Sequence, residues 1–151
     1  MKRFILFTVL MFSLAFAAHA EMSKGQTVYV PVYSHIYTGD RERPFLLTAT
    51  VSIRNTDMSS PVTIISADYY DSDGQKIAEY APKSVTLKPL TAVRFVIKES
   101  DKQGGSGASV IVRWTAKNSV SAPLIESVMI GAQNQQGISF TSRGKVILES
   151  K

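Results

Sequence analysis

A chain of 151 residues with no cysteine excludes disulfides, thiolate nucleophiles, cysteine-ligated metals and a lipidated cysteine. Its formal charge of +5 overstates its basicity, because Lys2 and Arg3 stand in a segment expected to be removed; without them 15 basic residues face 12 acids and the charge is +3. The remaining charges alternate in sign, as in "DRER" at 40–43, so no basic cluster calls for a nucleic-acid partner.

The first twenty residues, "MKRFILFTVLMFSLAFAAHA", place Lys2 and Arg3 ahead of an apolar run from Phe4 to Ala17 and close on Ala18-His19-Ala20. That order is the pattern of a secretory signal peptide cleaved after Ala20, and the run is shorter than the roughly 20 residues a membrane span needs. The expected mature chain, residues 21–151, fits one soluble, exported and periplasmic domain without a membrane span.

Side chains on a strand alternate between faces, so period-two patterns mark the elements. In chain order they predict strands over 28–33, 45–54, 62–70, 76–80, 84–87, 92–98, 109–116, 124–131 and 138–141, with a short one at 146–148. The clearest run puts Phe45, Leu47, Ala49, Val51 and Ile53 on one face. Pro31 lies inside the first strand and has no N–H for a ladder, so that strand is expected at an edge or with a bulge. Trp114 shares a face with Val110 and Val112 and is expected in the core. Turn residues at 55–61, 71–74, 88–91 and 117–123 separate the strands. No segment has a helical period. The expected fold is all-β: an immunoglobulin-like antiparallel β-sandwich of about eight or nine strands without the disulfide.

Several segments invite a chemical reading. Gly104-Gly105-Ser106-Gly107-Ala108 has the glycines of a nucleophile elbow, but a strand follows the serine where an elbow needs a helix. The lone histidine of the mature chain, His35, precedes that serine, against the chain order of such triads. A phosphate-binding loop would need a lysine after the last glycine, and Ala108 stands there. Glu99 and Asp101 enter this loop from a strand end, where binding residues often sit; the alternative is a plain bend whose glycines supply positive φ.

"YYDSDG" at 69–74 opens like a calcium loop with Asp71 and Asp73, but the later ligand positions fall on Lys76 and Pro82, and Asp-Gly between alternating runs predicts a hairpin. No metal or other cofactor is implied. The amides Gln133, Asn134, Gln135 and Gln136 and the guanidinium of Arg143 offer a polar surface for a peptide or glycan, or a solvated hairpin. Tyr29, Tyr33, Tyr37, Tyr69 and Tyr70 either line an aromatic face or cap the core.

The stretches "GQTVYVPVYSHIYTGDRERPFLLTATVSIRNTD", "DYYDSDGQ", "KESDKQGGSGA" and "MIGAQNQQGISFTSRG" resemble the exported bacterial proteins of the domain of unknown function 3124. The resemblance spans nearly all of the mature chain and implies a bacterial, periplasmic single domain, with no activity attached.

Three functional expectations follow. The leading one is a non-enzymatic cell-envelope module binding a protein or glycan, with Glu99, Asp101, Gly104, Gly105, Ser106, Gln136 and Arg143 as candidate contacts. The second is an enzyme of unfamiliar type using Glu99, Asp101, His35 or Arg143. The third is a structural subunit that assembles by pairing along the Pro31 strand.

Overall fold

Alternating side chains produce twelve strands among the described residues, which in this computed structural model are 21–133 and 135–150. The expected signal peptide, residues 1–20, and Asn134 lie outside the described residues. The strands are β1 (Met22–Pro31), β2 (His35–Thr38), β3 (Arg43–Leu46), β4 (Thr48–Arg54), β5 (Val62–Tyr70), β6 (Lys76–Glu79), β7 (Val85–Leu87), β8 (Ala92–Ile97), β9 (Ser109–Ser121), β10 (Leu124–Gln133), β11 (Gln136–Arg143) and β12 (Lys145–Glu149).

Six strands form one sheet in the order β12-β1-β9-β5-β6, with β7 also paired to β5; four form a second sheet, β11-β10-β4-β8; and β2 with β3 makes a separate hairpin. Every pairing is antiparallel. The fold is therefore all-β and sandwich-like, with one apolar core shared by both sheets. Val28, Val30, Ile64, Val110, Val112 and Trp114 come to it from the first sheet, and Ala49, Val51, Ile53, Ile97, Ile125 and Met129 from the second. Each fully buried Val, Ile, Leu or Met stabilises by roughly 1.5–3 kcal/mol relative to exposure. Trp114 sits in this core as its alternation predicts, and its indole N–H has no hydrogen-bond partner among the described residues.

The strand count differs from the eight or nine expected, for identifiable reasons. The run 45–54 divides at Leu47: Phe45 pairs with Ile36 in the hairpin, whereas Ala49 pairs with Met129 and Ile97 in the second sheet. The Leu47 N–H donates to Ser34 O at 2.9 Å, which fixes the change of direction. β2 carries little alternation to read, since Tyr37 and Thr38 are both exposed. The turn expected at 117–123 is partly strand. Residues 116–119 bulge opposite Lys24 alone, and pairing resumes at Val120, which is fully buried opposite Ser23.

Pro31 does not mark an edge. β1 lies between β9 and β12, although it has register shifts between Ser23 and Gly25 and between Thr27 and Val28. Pairing with β12 ends at Tyr29, so the missing Pro31 N–H falls beyond that ladder, while the Pro31 carbonyl accepts from Ser127 Oγ at 2.5 Å. β1 is therefore not an edge strand; the edges of the two larger sheets are β12, β6, β7, β8 and β11.

At one end, side-chain hydrogen bonds replace backbone pairing. The buried Asn55 donates through Nδ2 to Ser60 O, Leu87 O and Lys88 O, tying the β4–β5 loop to the β7–β8 turn. Asp57 Oδ1 accepts the amides of Ser59 and Ser60, and Oδ2 that of Ser121. The Ser59 amide, followed by those of Ser121 and Ser60, lowers the Asp57 carboxyl to about 2. On the first sheet, burial pushes the Asp68 carboxyl up, but Lys76 at 2.9 Å and Arg113 at 3.0 Å outweigh it and hold the group below its ordinary value.

A carboxyl depressed in the folded state stabilises above its unfolded value and loses that contribution as pH falls through the folded one. Asp57 should therefore stabilise the chain at neutral pH and cease to do so between about pH 4 and about pH 2. Thermal melts of Asp57→Asn should show a lower midpoint than the parent at pH 7, with the gap narrowing across that window. A gap independent of pH would contradict the assignment.

Candidate functional site

The loop from Lys98 to Ala108 carries the chain from β8 in one sheet to β9 in the other, so its path is fixed at both ends by paired backbone. Between those ends no ladder is available, and two serines from distant segments take over. Ser34 Oγ accepts the Gly105 amide at 2.9 Å and donates to Gly105 O at 3.2 Å, while the Ser34 amide donates to the same carbonyl at 3.1 Å. Ser72 Oγ donates to Gly104 O at 3.0 Å and accepts the Gly107 amide at 3.0 Å, and its own amide also donates to Gly104 O. The Asp101 amide donates to Lys98 O, and Asp101 Oδ1 accepts the Gln103 amide, which turns the first half of the loop.

Glycine is required here for two separate reasons. Gly105 has φ +80°, a left-handed backbone that a Cβ would strain. Gly104 is buried against Tyr69: a Cβ there would overlap the Tyr69 hydroxyl and lie 2.7 Å from Tyr69 Cζ. That hydroxyl has no hydrogen-bond partner among the described residues. Burial first, and the Asp101 charge second, push the Tyr69 phenol well above its ordinary range.

Beside the loop is an open cleft of about 400 Å³ lined by Tyr80, Val96, Lys98, Asp101, Lys102 and Gln103. Tyr80 joins an aromatic series, with ring centroids 6.0 Å from Tyr69 and 6.1 Å from Phe95, and burial together with Asp101 raises its phenol too. The cleft therefore combines one aromatic wall, two ammonium groups and a carboxylate next to the free edge of β8.

Glu99, Asp101, Gly104, Gly105 and Ser106 thus share one loop, with Glu99 exposed and Asp101 and Ser106 half-buried. Gln136 and Arg143 do not join them. Both lie on β11, the opposite edge of the sheet that ends in β8, across three strand spacings or about 14 Å. Gln136 faces Gln133 at the hairpin, and Arg143 pairs in register with Glu126 beside a second cleft of about 440 Å³ that also meets Gln26 and Thr56. The set Glu99, Asp101, His35 and Arg143 therefore does not converge in one pocket. His35 has Nδ1 3.3 Å from Ser34 Oγ and Nε2 3.1 Å from Tyr37 Oη, and stands edge-on to the Tyr37 ring at 5.1 Å. Among the described residues, Ser106 has no hydrogen bond to His35, so the Ser106–His35 pair of an elbow-type triad is not assembled; the serine beside His35 is Ser34. In the "DSDG" turn, Asp71 Oδ1 accepts the amides of Asp73 and Gln75 and closes the β5–β6 hairpin.

Sequence reasoning singled out the glycines but missed Ser34, Ser72 and Tyr80. The serines act across 71 and 32 residues of chain, a separation that leaves no local pattern.

These residues also lie within a recognisable family. A family model matches residues 25–147, which include the loop, both serines and Tyr80. The chain belongs to the family described as "Protein of unknown function (DUF3124)". No curated protein matches this DUF3124 chain. A solved structure, "Crystal Structure of Thermotoga maritima 1070", aligns at 10% identity with a TM-score of 0.49, covering 83% of the DUF3124 chain and 97% of its own.

Two substitutions test the packing of the loop. Gly104→Ala should destabilise by about 1–3 kcal/mol through overpacking. Tyr69→Phe removes an unpartnered buried hydroxyl and should be close to neutral. In denaturant titrations the double variant should recover part of the Gly104→Ala loss; strict additivity would show that the two groups do not meet.

Proposed function

We propose that the chain is an exported, periplasmic, non-enzymatic module, immunoglobulin-like in architecture, that binds a protein or glycan of the cell envelope at the cleft beside the Lys98–Ala108 loop. The observation that carries the reading is the clamping of that loop by Ser34 and Ser72. A binding loop held in one conformation loses less entropy on association than a free one. Here the glycine backbone is tied at Gly104, Gly105 and Gly107, while the half-buried Asp101 and the exposed Lys102 line the cleft with Tyr80 and Glu99 is exposed on the same loop. The free edge of β8 next to the cleft supplies unpaired backbone groups that an extended partner segment can use.

Export is supported by the charged, apolar and A-x-A order of residues 1–20. The immunoglobulin-like architecture is supported by two antiparallel sheets closing on one core around a single tryptophan.

Two measurements address this reading. N-terminal sequencing of the chain recovered from a periplasmic fraction should begin at Glu21; recovery of Met1 with the membranes would contradict export with cleavage. Capture of envelope components on the immobilised chain should fall at least about fivefold when Glu99 and Asp101 become alanine, a loss of about 1 kcal/mol. Unchanged capture would remove the loop from the binding site.

A further inference from the structure

The outward face of the second sheet carries a charge pattern that the cleft does not use. Register places Arg94 of β8 opposite Ser52 of β4, Ser52 opposite Glu126 of β10, and Glu126 opposite Arg143 of β11, so one row crosses all four strands. Arg54 stands two residues along β4 on the same face. Its Nε donates to Ser52 Oγ at 3.1 Å, and its Nη2 lies 3.8 Å from Glu126 Oε1. That is a long contact between partly exposed groups, of the kind that contributes little. Arg94 and Arg143 are exposed and pair with no carboxylate among the described residues. Three guanidinium groups therefore share this sheet face with one carboxylate, and only Arg54 contacts it. The next row holds Val96, Thr50, Val128 and Thr141, and Ile130 beyond it is 56% exposed.

We propose that this face docks an acidic, extended polypeptide segment of a partner protein. Guanidinium groups bind carboxylates in a bidentate fork, which suits Arg94 and Arg143 to aspartate or glutamate side chains. The two arginines are three strand spacings apart, about 14 Å, and residues i and i+4 of an extended chain lie at nearly the same separation, about 13.6 Å. Val96 and Val128, in the next row, offer apolar contact beside that segment. Sugar rings fit less well, because the aromatic groups of β8 and β11 point the other way: Phe95 and Phe140 pair with Val51 and Met129 on the core side. Val96 also lines the cleft, so the face continues the surface assigned above but rests on different residues.

The test uses poly-L-glutamate as probe, titrated against the purified full chain at low ionic strength, with polygalacturonate and phosphatidylglycerol vesicles as competing anions. Arg94→Ala with Arg143→Ala should weaken poly-L-glutamate binding at least about tenfold, and Glu126→Gln should tighten it by removing the competing carboxylate. Lys83→Ala with Lys117→Ala makes the same charge change at exposed lysines elsewhere and should alter binding by less than about twofold, the scale of non-specific field effects. Glu99→Ala with Asp101→Ala, which disables the cleft, should leave it intact. The proposal fails if the two double cation variants lose binding equally, if Glu126→Gln does not tighten it, or if polygalacturonate or the vesicles bind more tightly than poly-L-glutamate.

Discussion

Two hydroxyl groups hold the end of this molecule where the sheets are joined by glycines. Most of the fold rests on paired strands and buried aliphatic side chains, but residues 98–107 belong to no strand. Backbone groups outside a ladder need other partners, above all at the buried Gly104, and here Ser34 and Ser72 supply them, each by both side chain and amide. The same arrangement explains the glycines: close approach to Tyr69 and Ala108 leaves no room for a side chain at Gly104, and the return toward β9 needs positive φ at Gly105.

In the proposed binding role, this clamp would link stability to recognition. A loop packed on β5 at Tyr69 and tied to the β5–β6 turn through Ser72 cannot move without disturbing the core, so Asp101 keeps a fixed relation to Tyr80 and to the β8 edge. The opposite end is built by the same device with different residues, Asn55 and Asp57 standing in for backbone partners. Hydrogen-bonded loop ends around an aliphatic core suit a chain without cysteine, which must obtain rigid ends without covalent crosslinks.

Local pattern carried the fold class. Alternation in residues 45–53 and 109–114, with some positions apolar on both faces, announced which side chains would be buried, and Asp-Gly at 73–74 announced a hairpin. Pattern could not show that the 45–54 run changes partners at Leu47, because its apolar period continues unbroken through the bend. Nor could it show that Pro31 would sit inside a sheet, which depends on where β12 stops. The candidate site was legible only as a glycine-rich loop with acids. Its clamps, its aromatic wall and its separation from Arg143 are tertiary facts, set by which strands lie side by side.

Amide hydrogen exchange at the glycine loop tests the clamp most directly. If Ser34 and Ser72 hold it as described, the amides of Gly105 and Gly107 exchange slowly, with protection approaching that of Val110 and Val112 in β9. Exchange of Gly105 and Gly107 at the rate of an unstructured peptide, with β9 still protected, would contradict the account.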